Sequence, residues 1–231
     1  PFARGEGLAQ YTSDPVFQAR VRDRAASAPA GADPLGPPPR PGPAAVATLL
    51  SLARHHPGGR RENLRSPLPR AAVQTFLDVF SNPSLTWTDL ASLRVRTSLP
   101  IVLKGLQHPH DARLALEHGV DAIVVSNHGG RQVDGAIASL DALPPIAAEV
   151  AGRIPVLFDS GIRSGADALI ALALGADAVL VGRPYVYGLA LAGRAGVEAV
   201  LRNLVAELDL TLGLVGCRTL ADLRQTELVR S

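Results

Sequence analysis

The feature that most constrains the fold of this chain is a set of four short apolar runs between residues 99 and 183. They are LPIVLK (99–104), VDAIVVS (120–126), IPVLFD (154–159) and ADAVLVG (176–182). Each run ends in a polar residue or a glycine, and stretches with helical periodicity lie between the runs. Apolar runs that alternate with helices are typical of buried parallel strands, whose carboxyl ends meet at one edge of the sheet. The pattern therefore predicts an α/β fold with one pocket at that edge.

The intervening segments have the length that β-α-β units require. Helices are predicted at residues 71–80, after Thr86, at 108–119, 139–152, 164–175 and 193–216, and from CRTLADL (217–223). Thr86 lies three residues before Asp89, which predicts a start resembling a capping box, with Asp in place of Glu or Gln. This alternation fits either half of a (β/α)8 barrel or a small doubly wound sheet. The strand ends have to decide between the two.

The composition of residues 1–68 predicts a long loop or arm that is partly disordered. They are rich in Pro, Gly, Ala and Arg, most densely at 29–45, and they lack regular periodicity. Only 44–54 has the pattern of a short helix. We therefore expect a loop region at 1–68 and a folded domain at 69–231.

The composition limits the partners and the location of the protein. A chain of 231 residues with 47% apolar residues can bury a sizeable core, and a net charge of +2 gives no reason to expect nucleic acid or a membrane as partner. The single cysteine, Cys217, cannot form an internal disulfide, and no apolar run is long enough to span a bilayer. We expect a cytoplasmic protein. His55 and His56 have no Cys, Asp or Glu at ligand spacing, so no metal is expected. The start at Pro1 and the absence of methionine suggest a fragment.

Polar and charged residues follow the first two strands. Lys104, the only lysine of the chain, ends the first run, so its cation is expected to point into the pocket, unless it pairs with a buried carboxylate. The second run leads into SNHGGRQ (126–132), whose glycines allow a tight turn that brings His128 and Arg131 to the mouth of the pocket. Imidazole accepts a proton near pH 7, and guanidinium binds a carboxylate with two parallel hydrogen bonds. A base with a carboxylate clamp suits an α-substituted carboxylic acid; the alternative is an ordinary hydrogen-bonded loop.

Glycine-rich turns follow the other two strands. The third strand ends in DSGIRSG (159–165), and the fourth ends in Gly182-Arg183-Pro184. Backbone N–H groups at such turns, just before a helix, bind anions. Two turns of this kind on consecutive last strands match the phosphate site of (β/α)8 barrels. Asp159 can accept hydrogen bonds from ligand hydroxyls; the alternative is turn glycines with surface arginines.

Over roughly residues 84–223 the chain resembles the carboxyl-terminal half of the FMN-dependent α-hydroxy-acid oxidase and dehydrogenase family. The resemblance is carried by LPIVLKG, IVVSNHGGRQ, IPVLFDSGIRSGADALIALALGADAVLVGRP and GCRTLADL, of which SNHGGRQ and DSGIR are the most specific. It implies a TIM barrel of the FMN-linked type, of which this chain supplies strands five to eight after a long loop. The opening PFARGEGLAQYTSDPVF is most similar to the lactate 2-monooxygenase-like branch.

The resemblance also implies a role for each strand-end residue. Lys104 would lie against N1 and the C2 carbonyl of the flavin, His128 would be the active-site base, and Arg131 would anchor the substrate carboxylate. The other cofactor-binding residues would be Ser126, Asp159 at the ribityl chain, and Gly161, Arg163, Gly182 and Arg183 at the phosphate. Ser160 stands where many members of the family have Gly.

The implied reaction is FMN-dependent oxidation of a small, lactate-like 2-hydroxy acid to the 2-oxo acid, with oxygen as the electron acceptor and with or without oxidative decarboxylation. A homo-oligomer is implied for the full-length protein. The alternatives are a truncated, non-catalytic half-barrel and a phosphate-binding barrel of other chemistry, such as an isomerase. The latter has no use for Lys104, His128 and Arg131 together. Because the first four strands have no counterpart in this chain, weak or no turnover is expected of the chain alone.

Overall fold

The computed structural model describes residues 8–27, 42–80 and 82–229. The chain divides into two compact units, residues 1–85 and 86–231. The boundary predicted after residue 68 falls inside the first of these units. Of residues 29–45, where Pro, Gly, Ala and Arg are densest, 29–41 lie outside the described residues.

Eleven α-helices and four strands are found in the described residues. The helices are α1 (Ala9–Thr12), α2 (Pro15–Ser27), α3 (Pro43–His55), α4 (Arg60–Arg65), α5 (Leu68–Phe80), α6 (Asp89–Arg96), α7 (Pro109–Glu117), α8 (Ser139–Val150), α9 (Gly165–Ala173), α10 (Arg183–Leu214) and α11 (Leu220–Leu223). The strands are β1 (Val102–Leu106), β2 (Ala122–Val125), β3 (Val156–Phe158) and β4 (Ala178–Val179). Of the helices that the structure describes, none is both long and apolar enough to cross a membrane.

Helices occupy most of the described part of the first 68 residues, so the predicted long loop is wrong there. The reason is clear in α2, where Phe17 and Val21 lie four residues apart on one face and are buried in a cluster with α5. The ring of Tyr11 adds a contact with Phe17, with centroids 5.7 Å apart. A narrow apolar stripe is enough for a helix when a partner covers it, even in polar sequence. The short helix predicted at 44–54 is confirmed as α3.

The second unit contains a four-stranded parallel sheet in the order β1-β2-β3-β4, which confirms the four predicted strands and the α/β class. The registers pair Val102 with Ala122, Ile123 with Val156, and Leu157 with Ala178. A doubly wound sheet reverses its strand order at a switch point, whereas these four strands follow the chain without reversal. The sequential order is that of a (β/α)8 barrel.

The main core of the second unit lies between the sheet and helices α7, α8 and α9. Ile123 and Val125 of β2 and Phe158 of β3 pack in one cluster with Leu143 and Ile146 of α8. Each of these side chains is at most 2% exposed. Burial of a large apolar side chain contributes about 1.5–3 kcal/mol, so this layer fixes the strand ends that carry the site.

The predicted start of the helix after Thr86 is wrong in its detail. Helix α6 begins at Asp89, and Thr88, the residue before it, makes no side-chain cap. Thr86 instead donates its N–H (2.7 Å) and its hydroxyl (2.9 Å) to Oδ2 of Asp89, so only one half of the expected box forms. These hydrogen bonds from Thr86 hold the pKa of Asp89 below its usual range.

The helix predicted at 193–216 begins ten residues earlier, at Arg183, and has a break. Ala192 and Gly193 have non-helical backbone angles, which separates α10 into two segments. Gly188 and Gly196 are buried where the segments meet, and a Cβ atom on Gly188 would lie 2.5 Å from the carbonyl oxygen of Gly196. Small residues on both segments therefore permit this close approach.

Candidate active site

The carboxyl ends of β1, β2 and β3 bring three polar side chains together. Lys104 donates from Nζ to Oγ of Ser126 (2.9 Å) and lies 3.2 Å from Oδ2 of Asp159. Ser126 is fully buried and donates in turn to Oδ1 of Asp159 (2.6 Å). The lysine side chain is 41% exposed, so it both pairs with a carboxylate and faces the pocket. The sequence predicted either a cation in the pocket or a lysine paired with a carboxylate, and Lys104 is both.

The carboxylate of Asp159 is held in its charged form. Burial acts to raise its pKa, but hydrogen bonds from Ser126, Ser160 and Lys104, and the charge of Lys104, outweigh burial and lower the pKa. At neutral pH the site therefore contains a fixed negative charge beside the fixed positive charge of Lys104.

The turn that follows β2 places His128 over the end of β1. His128 (φ +57°), Gly129 (φ +73°) and Gly130 (φ +71°) form a short 3-10 turn in left-handed backbone conformations. The φ of Gly129 favours glycine, and a Cβ atom there would lie 2.6 Å from Nη2 of Arg183, so a larger residue would also displace that guanidinium. The imidazole stands against Gly105, where a Cβ atom would lie 2.8 Å from Nε2 of His128.

Side chains from two other segments hold this turn in place. The N–H of His128 donates to Oγ of Ser126 (3.0 Å), and the N–H of Gly129 donates to Oγ of Ser160 (2.9 Å). The N–H of Asn127 donates to Oγ of Ser139 (2.8 Å). Nothing in the sequence pattern indicates this role for Ser139 and Ser160, because the hydrogen bonds join residues 12 and 31 positions apart.

A cleft of about 580 Å³ lies at this edge of the sheet. Its walls include most of the predicted site residues, namely Lys104, His128, Arg131, Asp159, Gly161, Arg163, Gly182 and Arg183. Ser126 is buried and reaches the cleft only through its hydrogen bonds to Lys104 and Asp159. Leu180 and Tyr185 also line the cleft, and no motif in the sequence pointed to them.

The charge of the cleft suits an anionic ligand. Four cationic side chains on its walls, Lys104, Arg131, Arg163 and Arg183, face one carboxylate, Asp159. Arg183 donates from Nη2 to the carbonyl oxygen of Gly129 (2.6 Å), which ties the start of α10 to the turn after β2.

The turn before α9 offers fewer free N–H groups than its glycines suggest. The N–H groups of Arg163 and Ser164 both donate to Oδ2 of Asp167 (2.9 Å each), and the N–H of Gly165 donates to Oε2 of Glu207 (2.9 Å). The spacing of Ser164 and Asp167 is that of a capping box, a signal already present in the sequence. The start of α10 at Gly182, by contrast, has no side-chain cap. Its N–H groups are the better candidates for an anion.

The parallel strands follow one another in chain order, and an imidazole and four cations lie at their carboxyl edge. This arrangement defines the class of enzymes that bind anionic ligands at strand ends. The model of the family described as FMN-dependent dehydrogenase matches residues 15–230. This chain belongs to that family, which has a TIM-barrel fold.

Curated relatives agree with this assignment. The L-lactate oxidase of Lysinibacillus sphaericus is 54% identical over 159 residues, which are 69% of this chain and 41% of the relative. Human 2-hydroxyacid oxidase 2 is 45% identical over 163 residues, 71% of this chain and 46% of the relative. The chain thus spans less than half the length of these relatives.

Solved structures give the same result. A putative lactate oxidase from Pediococcus acidilactici matches with a TM-score of 0.63 and 42% identity, over 71% of this chain and 46% of that one. A mandelate oxidase variant with a monooxide FMN adduct matches with a TM-score of 0.59 and 49% identity, over 61% of this chain and 45% of that one. The expected family, its oxidoreductase class and its FMN cofactor are therefore confirmed.

Proposed function

We propose that this chain supplies strands five to eight of an FMN-dependent (β/α)8 barrel that oxidises a small 2-hydroxy acid, such as lactate, to the 2-oxo acid. The observation that carries the proposal is that the ends of consecutive parallel strands bring Lys104, His128 and Arg131 to one cleft. The similarity to L-lactate oxidase supports a lactate-like substrate. The proposal includes a cytoplasmic homo-oligomer as the full-length form and oxygen as the electron acceptor.

The residues of the cleft fit a flavin mononucleotide. Arg163 and Arg183, with the uncapped start of α10 at Gly182, match a phosphate dianion. Gly161 (φ +99°) leaves open space, since a Cβ atom there would meet nothing within 4 Å. Asp159 can accept hydrogen bonds from ribityl hydroxyls, and Lys104 supplies a cation for the ring. FMN, when bound, supplies the two-electron acceptor.

The chain's own residues then bind the substrate and take its proton. Arg131 binds the substrate carboxylate through two parallel hydrogen bonds, which orients the carbon that is oxidised. His128 accepts a proton from that carbon or from its hydroxyl group, and both routes require a neutral imidazole. Lys104, held by Asp159 and Ser126, keeps a positive charge where negative charge develops on the acceptor.

A truncated, non-catalytic half-barrel is the second candidate function. The chain covers 41% of L-lactate oxidase, and the share left uncovered would contain the other four strands. A half-barrel of this kind would bind cofactor weakly and turn over substrate only when those strands come from another chain.

Flavin titration and anaerobic reduction distinguish these candidates. The purified chain, alone and mixed with a polypeptide that carries the missing strands of L-lactate oxidase, is titrated with FMN and then with L-lactate. We expect FMN to bind and lactate to bleach its visible absorbance, more strongly in the mixture. His128→Asn should retain FMN and slow bleaching by about a hundredfold or more, whereas the surface control Arg202→Gln should behave as wild type. Failure of FMN to bind in both preparations, or full bleaching by His128→Asn, would contradict the proposal.

A further inference from the structure

Two serine hydroxyls form matched bridges between one carboxylate oxygen and the backbone of the His128 turn. Ser126 and Ser160 both donate to Oδ1 of Asp159, at 2.6 and 2.7 Å. The hydroxyl oxygen of Ser126 also accepts the N–H of His128 (3.0 Å), and that of Ser160 accepts the N–H of Gly129 (2.9 Å). The turn is therefore attached to Asp159 at two successive peptide groups.

The backbone of Ser160 shows that this second bridge is not incidental. Its φ of +89° lies in a region that side-chain-bearing residues rarely adopt, and Gly161 follows at +99°. Glycine would adopt the conformation of residue 160 freely. A serine persists in such a conformation only when its surroundings hold it there, and the hydroxyl of Ser160 makes the contacts that do so.

Both backbone polar groups of Gly129 are hydrogen-bonded. Its N–H donates to Ser160, and its carbonyl oxygen accepts from Nη2 of Arg183 (2.6 Å). This residue directly follows His128 and lies two positions before Arg131. Ser160 is thus placed to fix the direction in which the chain leaves the base and approaches the carboxylate clamp.

We propose that Ser160 is a positioning residue, which holds the His128–Arg131 turn against Asp159 and so aligns the base and the substrate anchor. Their roles as base and anchor rest on the proposed function, whereas the bridge itself does not. The hydroxyl of Ser126 also accepts a hydrogen bond from Lys104, so Ser126 holds the lysine as well as the turn.

Amide hydrogen exchange in the ligand-free full chain, followed residue by residue by NMR, tests the bridge. Ser160→Ala removes the hydroxyl and keeps the strained backbone, and Ser160→Gly removes the hydroxyl and relieves the strain. In both variants we expect the N–H of Gly129 to exchange at least tenfold faster, while the N–H groups of His128 and Asn127 stay within twofold of wild type. Ser139→Ala is the matched control, because it should accelerate Asn127 alone.

Two outcomes of this measurement would overturn the proposal. One is wild-type protection of the Gly129 N–H in Ser160→Gly. It would mean that the hydroxyl of residue 160 does not hold the His128–Arg131 turn. The other is equal acceleration at Asn127, His128 and Gly129, which would mean that the serine supports folding in general.

Pyruvate is the 2-oxo acid that oxidation of lactate gives. Its binding to the FMN-loaded mixture of this chain with the polypeptide that carries the missing strands, measured by the flavin difference spectrum, tests the alignment. Both variants should bind pyruvate three- to tenfold more weakly than wild type, and Ser160→Gly should not restore affinity. Unchanged pyruvate affinity together with fast exchange at Gly129 would show that the bridge does not position the site. If wild type itself binds no pyruvate, the proposed function fails, and the exchange rates alone decide whether Ser160 holds the turn.

Discussion

The imidazole of His128 stands against the backbone of Gly105, so closely that a Cβ atom at 105 would lie 2.8 Å from its Nε2 atom. The backbone of Gly105 also has a φ of +106°, a value that favours glycine. The position thus combines steric and conformational demands, at the end of the strand that carries Lys104.

Substitution of Gly105 by Ala should displace the imidazole and destabilise the second unit. The new methyl group overlaps Nε2 of His128, and the backbone strain adds to this overlap, so we expect a loss of about 2–4 kcal/mol. Urea unfolding followed by the fluorescence of Trp87, the single tryptophan, measures the loss. A shifted Cε1 proton resonance of His128 reports the displacement.

Gly119→Ala is the matched control for that prediction. Gly119 also has a positive φ (+67°), but a Cβ atom there would meet nothing within 4 Å. Backbone strain alone should cost about 1 kcal/mol and leave the resonance of His128 in place. Equal losses in the two variants would show that the contact with His128 is unimportant.

Ser126→Ala should lower the free energy of unfolding by about 1–3 kcal/mol, because a buried hydroxyl with several partners is lost. Lys104, His128 and Asp159 would each lose one hydrogen bond. Ser92→Ala serves as the control, since the hydroxyl of Ser92 donates to the carbonyl oxygen of Asp89 (2.8 Å) at the surface. It should change stability by less than about 0.5 kcal/mol. Equal urea midpoints for wild type and Ser126→Ala would contradict this prediction.

The lowered pKa of Asp159 makes part of the stability depend on pH. Burial opposes the charge, but hydrogen bonds from Ser126, Ser160 and Lys104 lower the pKa below the value of about 3.9 expected in the unfolded chain. A carboxylate with a lowered folded pKa contributes stability above the unfolded pKa, and this contribution is lost as the pH falls through the folded pKa.

Asp159→Asn isolates this contribution, because other carboxylates titrate equally in both proteins. The stability advantage of wild type over the variant should be constant from about pH 7 to pH 5 and should shrink below about pH 4. Urea midpoints of both proteins across this range give the difference directly. An advantage that grows on acidification would show that the sign is wrong.

The sequence predicts the sheet well because the signal is local. Residues 122–125 are four consecutive buried apolar residues, and the polar strand ends identified most residues of the cleft. The bridge from Ser160 to Gly129 could not be predicted, because it joins residues 31 positions apart through one hydroxyl. Helix α2 was not predicted, because polar residues surround its two buried positions, although Phe17 and Val21 have helical spacing. Burial by a distant partner decides such cases.

Two glycines of the second unit should respond to alanine with opposite signs. At the start of α9, a Cβ atom on Gly165 would overlap the backbone nitrogen of Leu208 in α10, and neither backbone can move without breaking the packing of the two helices. We expect Gly165→Ala to cost about 2–4 kcal/mol.

Near the end of α10, a Cβ atom on Gly213 would meet nothing within 4 Å. Gly213→Ala should therefore gain up to about 1 kcal/mol, since alanine loses less entropy in a helix than glycine does. Urea unfolding of both variants, followed by the fluorescence of Trp87, tests the pair. A loss of stability in Gly213→Ala as large as that in Gly165→Ala would show that contact between α9 and α10 is not what requires glycine at 165.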